Sequence, residues 1–336
     1  DTTISAAGQT VTLDQNSSYG TLYLTAGTGT VTHNGTVNFG LSTVSGDLTI
    51  NANKITDSGG ITVSGTTTVT APTVELDDTN NDFSSFLAYG SNVTVYDKNN
   101  ITIGSSNVTT LYTIGAGSNI SQSTAMVTNK LAMSAGGSIT MDNTSNDITT
   151  LGNVSSGSLN LYDTNGLTID GTISGGSTVI RSAGNLALAS GTSIGASDVV
   201  LQAIGSRFDN YAGSSVLDNA GRWRIYTKSV GEVGGLAGGR EFNVNYPSDP
   251  KGSGNYYYFE GFDQFDGEID VSTLSGSLTI SSVALVGGLD ATSSDNTSFF
   301  YGGPSIIGYI TESETADSYV ITSLDNLEKS DDIQST

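Results

Sequence analysis

Three groups of side chains in this 336-residue chain have the types and spacing that chemistry uses. The densest is the acidic run Glu260, Asp263, Asp266, Glu268 and Asp270, set among aromatics in the phrase FEGFDQFDGEID. Glycoside hydrolysis needs two carboxyl groups, one to protonate the leaving oxygen and one to attack or to activate water. The run has no catalytic spacing signature, and its plainer reading is a solvated acidic strand edge. The second group is the pair of runs Asp77–Asp82 (DDTNND) and Asp142–Asp147 (DNTSND), which offer several oxygen ligands within turns, as calcium requires. Neither follows the EF-hand or the GGxGxDxUx pattern. Asn and Asp also favour turns on their own account, because they tolerate left-handed backbone and cap it. Calcium stays open as a bound ion without assigned ligands. The third is His33, the only histidine, in the turn THNGT. A Ser-His-Asp triad needs an activated Ser and an orienting acid beside the imidazole, and a lone His in a Gly/Asn turn reads as a surface residue. HExxH, P-loop and dinucleotide motifs are absent. No residue is assigned as catalytic, cofactor-binding or metal-ligating.

These groups must be carried by a thin-cored scaffold. Hydrophobic residues make up 36% and charged residues 13% of the chain, with 43 Gly and 4 Pro. That is little apolar material for a large α/β core, but the aliphatics recur regularly, as in a solenoid rather than a disordered chain. The scarcity of Pro fits stacked ladders, which Pro would interrupt. With no Cys, disulfides, thiolate zinc sites and cysteine nucleophiles are excluded. The net charge of −22 repels phosphate and argues against nucleic acid or an anionic membrane surface as partner. No stretch reaches the apolar length of a transmembrane segment, and Asp1 does not open a signal peptide, so the expectation is that any signal has been removed or that the chain is a fragment.

Residues 1 to about 200 read as repeats. Phrases such as Leu22-Tyr23-Leu24, Leu48-Thr49-Ile50, Ile61-Thr62-Val63, Val93-Thr94-Val95, Ile139-Thr140-Met141 and Leu159-Asn160-Leu161 alternate apolar with polar, the period of half-buried strands. Gly, Asn, Asp and Ser clusters follow them as turns. Similar phrases return at about 20 residues, which predicts a parallel β-solenoid with longer rungs near Asp77–Ser85 and Ser174–Ser190. Thr10-Val11-Thr12, Thr30-Val31-Thr32 and Thr68-Val69-Thr70 resemble the Thr pairs of flat ice-binding faces, but their positions are expected to drift from rung to rung. Asn-x-Ser/Thr sequons, from Asn16 and Asn34 to Asn296, are no more numerous than so much Ser and Thr would give by chance.

The text changes at RFDNYAG (Arg207–Gly213), followed by NAGRWRIY (Asn219–Tyr226), which holds the single Trp. Arg207, Arg222, Arg224, Lys228, Arg240 and Lys251 gather most of the positive charge here. The plain reading pairs the arginines with nearby Asp and lays their stems on Trp223; the sharper one is a glycan or partner site. Phe208, Asn210, Ala212, Gly213, Gly221, Arg222, Trp223, Ile225 and Tyr226 resemble a segment of large bacterial exoproteins of the filamentous-haemagglutinin type, surface adhesins secreted by the two-partner route. The resemblance implies that the β-helix is right-handed and that this segment closes its shaft.

The expected fold is therefore all-β: a right-handed parallel β-helix over residues 1–230, a distal β-rich region over 231–320, and an acidic C-terminal tail over 321–336. The expected function is non-enzymatic, an extracellular structural or adhesive shaft or self-assembling filament, secreted to the bacterial surface or matrix. Its expected partners are copies of itself, joined end to end or by strand donation, or cell-surface and matrix glycans. The competing expectation is a polysaccharide-acting β-helix hydrolase or lyase using Glu260–Asp270.

Overall fold

The structure is a computed structural model that describes residues 1–14, 18–260, 297–302, 305–312 and 319–322. Two compact units, Asp1–Phe262 and Asp263–Thr336, divide the chain. The first is a parallel β-solenoid of about 13 turns with rungs of about 19 residues. Each long strand pairs in parallel with the rung before it and the rung after it; Thr49, for example, sits between Thr30 and Thr68.

The alternating pattern produces continuous inward columns. Val37, Ile55, Val74, Val93, Tyr112, Leu131, Leu151, Ile169 and Leu188 stack in register and are all buried. A second column runs Met141, Leu161, Ile180, Leu201, Ile225 and Tyr257. Burial of each such side chain is worth roughly 1.5–3 kcal/mol, so the stack makes a core that no single rung could. Between inward positions stand Thr, Ser and Asn, whose β-branched or short side chains suit a pleated outer face.

Where larger residues face outward they cover glycine on the next rung. The ring of Tyr23 lies over Gly40, Leu87 over Gly104 and Tyr96 over Gly115, each so close that a Cβ on the glycine would overlap it. Apolar surface on one rung thus substitutes for the missing side chain on the next.

The ladder continues past residue 230. Trp223–Val230 pairs with Tyr256–Phe259, which pairs in turn with Gly239–Phe242, all in parallel. Rungs lengthen on the way: partners stand 19 apart at Leu48 and Thr67, 21 apart at Thr172 and Ser193, and 24 apart at Val199 and Trp223. The expected strands at Leu278–Ile280 and Val283–Val286 lie outside the described residues, as does 323–336. Ser305–Ile310 falls within the second strand of a three-stranded antiparallel sheet, Thr297–Gly302, Ser305–Glu312 and Tyr319–Thr322, in the second unit. Among the described residues no helix is long and apolar enough to cross a membrane.

Candidate functional site

The outward columns change character over the last described rungs of the solenoid. Tyr162, Arg181, Gln202, Tyr226 and Tyr258 stand in one register, and Val179, Val200, Arg224 and Tyr256 in the next. The Arg181 guanidinium lies 5.4 Å from the centre of the Tyr162 ring, a cation–π distance. Tyr256 stacks on Tyr258 at 5.7 Å, and Tyr226 meets the edge of Tyr246 at 5.3 Å. Together with Val200 and Val244 these rings form a small second core outside the solenoid wall, covered by the segment 243–255.

Asp249 fastens that segment. Arg222 donates to it through both terminal nitrogens, at 2.6 and 2.8 Å, Arg224 Nη1 at 3.2 Å and the Tyr258 hydroxyl at 2.7 Å. Arg222 Nε donates to Gly254 O, Tyr226 Oη to Ser248 O, and the Trp223 N–H to Asn255 Oδ1. Arg224 also pairs with Asp198. The Arg222 guanidinium holds the Asp249 carboxyl well below the usual carboxylate range, and Asp249 in turn raises Arg222. Burial pushes Tyr226 up to about 12 and Tyr258 higher still, so neither phenol is poised as a base near neutrality. The expected pairing of the arginines is present, and it is a clamp whose hub, Asp249, no spacing in the sequence announced.

The residues of the segment Arg207–Tyr226 have structural tasks. Phe208 and Trp223 are buried, and both meet Tyr257 edge to face. Asn210 is fully buried; its Nδ2 donates to Gly213 O and Val233 O while its Oδ1 accepts from the Ala212 N–H, which turns the chain at the rung corner. Gly213 has φ 93, a backbone that a side chain disfavours.

Of the acidic run only Glu260 is described; Asp263, Asp266, Glu268 and Asp270 lie outside the described residues. Glu260 Oε1 accepts from Gln202 Nε2 at 2.8 Å and from the Tyr246 N–H at 3.2 Å, tying the covering segment to the wall. His33 packs edge-on against Tyr19 at 5.6 Å, and its Nδ1 is buried without a hydrogen-bond partner. The Thr pairs drift less than expected: Thr12, Thr30, Thr49 and Thr68 stack in one register, while the adjoining Thr32 and Thr70 are separated by Asn51. The column ends where Leu87 and Tyr89 follow Thr68 and Thr70.

The runs Asp77–Asp82 and Asp142–Asp147 form two equivalent corners, 65 residues apart (77 to 142). In the first, buried Asn81 accepts the Ile61 N–H on Oδ1 and donates through Nδ2 to Asp57 Oδ2. In the second, Asn146 accepts the Met126 N–H and donates to Gln122 Oε1. Buried Asp97 accepts the Phe83 and Asn99 N–H groups, just as buried Asp163 accepts those of Ile148 and Asn165. Asp78 and Asn143 cap their own turns on Asn80 and Ser145. Desolvation raises Asp57, Asp97 and Asp163 above the ordinary carboxylate value. Asp97 and Asp163 spend their oxygens on backbone N–H groups and Asp57 Oδ2 accepts from Asn81 and Asp78, and among the described residues no three His, Cys, Asp or Glu side chains converge as a metal site would need.

The duplication has an outside counterpart. No curated protein and no solved structure matches the chain. Residues 26–88 and 90–155, together less than half of it, are each similar to a family described as repeats of unknown function (DUF5649), and the two matches run in tandem through the two corners.

Proposed function

We propose that this chain is a non-enzymatic extracellular shaft of a bacterial surface protein, of the filamentous-haemagglutinin type, that acts by structure and adhesion. The observation that carries the reading is the parallel ladder from Thr2 to Phe259, with aliphatic columns inside and short polar side chains outside. At about 4.8 Å per rung, 13 turns give a rod roughly 60 Å long for the first unit. Such a ladder resists bending and unfolding without disulfides, which suits a spacer that holds a contact away from a surface. The clamp at Asp249 and the aromatic second core supply a stiff surface where a glycan or a second copy would dock. Negative-stain electron microscopy across concentration, with light scattering, tests this. Rods, single or joined in regular filaments, support a shaft, and binding to immobilised matrix glycans supports adhesion. Globular particles, or turnover of polysaccharide, would overturn the reading.

A further inference from the structure

The two corners differ at one buried position. Gln122 and Asn146 form a closed pair of amides: Gln122 Nε2 donates to Asn146 Oδ1 at 2.5 Å, and Asn146 Nδ2 donates back to Gln122 Oε1 at 3.0 Å. Sixty-five residues earlier (122 to 57), the place of Gln122 is taken by Asp57. One half of the ring is the same, since Asp57 Oδ2 accepts from Asn81 Nδ2 at 2.5 Å and from the Asp78 N–H at 3.3 Å, as Gln122 Oε1 accepts from Asn146 and Asn143. The other half lacks a donor: Asp57 Oδ1 is buried without a hydrogen-bond partner. An ionised carboxylate there would turn an acceptor toward the corner where the second copy has an N–H, at the cost of an unsatisfied buried charge.

We propose that Asp57 is held as the neutral acid in the folded shaft, its Oδ1 hydroxyl donating to Asn81 Oδ1, so that the first corner holds a pH-sensitive ring whose counterpart in the second corner, Gln122 with Asn146, does not titrate. An acid–amide ring then replaces the amide–amide ring, with every polar atom satisfied. The surroundings agree. Burial is the largest influence on Asp57 and raises it; hydrogen bonds from Asn81, Asp78 and Asp77 pull it down, and the only charge acting on it, that of Asp77, raises it. Lys54, on the same strand, and Glu75, on the next rung, pair with each other at 2.7 Å, and the Asp78 side chain is engaged by Asn80. Because the folded value lies above the unfolded one, this stabilisation is complete below about pH 3.8 and is lost as pH rises through the folded value.

Thermal melts of the full chain near pH 4 and at pH 7, with a chelator present, test the proposal on wild type, Asp57→Asn and Gln122→Glu. Asp57→Asn restores the amide donor and is expected to melt roughly 8 °C or more above wild type at pH 7, because keeping a carboxyl neutral there costs about three pH units of linkage, with the gap closing near pH 4. Gln122→Glu places an acid in the second corner, and is expected to melt below wild type at pH 7 and to recover near pH 4. Asp57→Asn melting at or below wild type at pH 7, or a gap unchanged by pH, would overturn the proposal. Should that variant not fold, Gln122→Glu decides alone: no added pH dependence refutes it.

Discussion

Replacing Asp249 with Ala removes the hub of the clamp on the last described rungs of the solenoid. Arg222 loses a two-pronged partner, Arg224 loses one of its two carboxylates, and the Tyr258 hydroxyl loses its acceptor. Charge-assisted hydrogen bonds are worth about 1.5–3 kcal/mol each when shielded. The side chains of Arg222 and Asp249 are 20% and 19% exposed, so water takes up part of the loss. A net cost of about 2–3 kcal/mol follows, borne first by segment 243–255 and the strand Tyr256–Phe259 beneath it. Hydrogen exchange read by mass spectrometry should show faster exchange there, with protection of the Leu131–Leu188 region unchanged. The effect should depend on pH in one direction only. The folded value of Asp249 lies below its unfolded value of 3.8, so its contribution is full above about pH 4 and drains away as pH falls through the folded value. Wild-type exchange rates at 243–260 in Asp249→Ala would show that the clamp does not hold the segment.

Other perturbations separate the parts of the shaft. Asn81→Ala and Asn146→Ala each strip a buried hub of its bonds and should cost about 2–4 kcal/mol by denaturant unfolding, by similar amounts if the corners are equivalent. Gly175→Ala should fail to give soluble folded protein, because φ is 146 and a Cβ would overlap Ser156 O; Gly191→Ala, with φ 88 but open space around it, should cost only about 1–2 kcal/mol. Leu151→Ala, in the middle of the long column, should cost about 2–5 kcal/mol in the same assay.

The scaffold was largely legible because its signals are local. Phrases such as Ile139-Thr140-Met141 alternate, and that alternation alone decides which side chains enter the core. The common rung length was legible to within a residue, and Ser174–Ser190 lies where partners stand 21 apart, but Asp77–Ser85, also expected in a longer rung, sits among partners 19 to 20 apart. The corner runs stood out by composition, but their role did not. Tyr96-Asp97-Lys98-Asn99 and Tyr162-Asp163-Thr164-Asn165 follow them, 15 residues from Asp82 to Asp97 and 16 from Asp147 to Asp163, a near-repeat visible in the sequence that points to capping as well as to cation binding. Asp249 was hidden for a physical reason. Its partners Arg222 and Arg224 lie 27 and 25 residues upstream, one rung below, and an Asp in NYPSDPKGSGN has the composition of any loop. The continuation of the ladder beyond residue 230 was obscured likewise, because Tyr256–Phe259 is buried at three of its four positions and shows no alternation.

The stacking register is the claim on which the rest depends, and a chain without Cys allows a direct test by paired cysteines. Thr49 and Thr68 face each other on adjacent rungs, where Cα atoms about 4.8 Å apart fall within disulfide range. Leu87 stands one rung beyond Thr68, roughly 9.6 Å from Thr49, outside that range. Under mild oxidation Thr49→Cys with Thr68→Cys should close an intramolecular disulfide, while Thr49→Cys with Leu87→Cys should remain free thiols. Equal cross-linking of both pairs, or of neither, would contradict the 19-residue ladder and the shaft built on it.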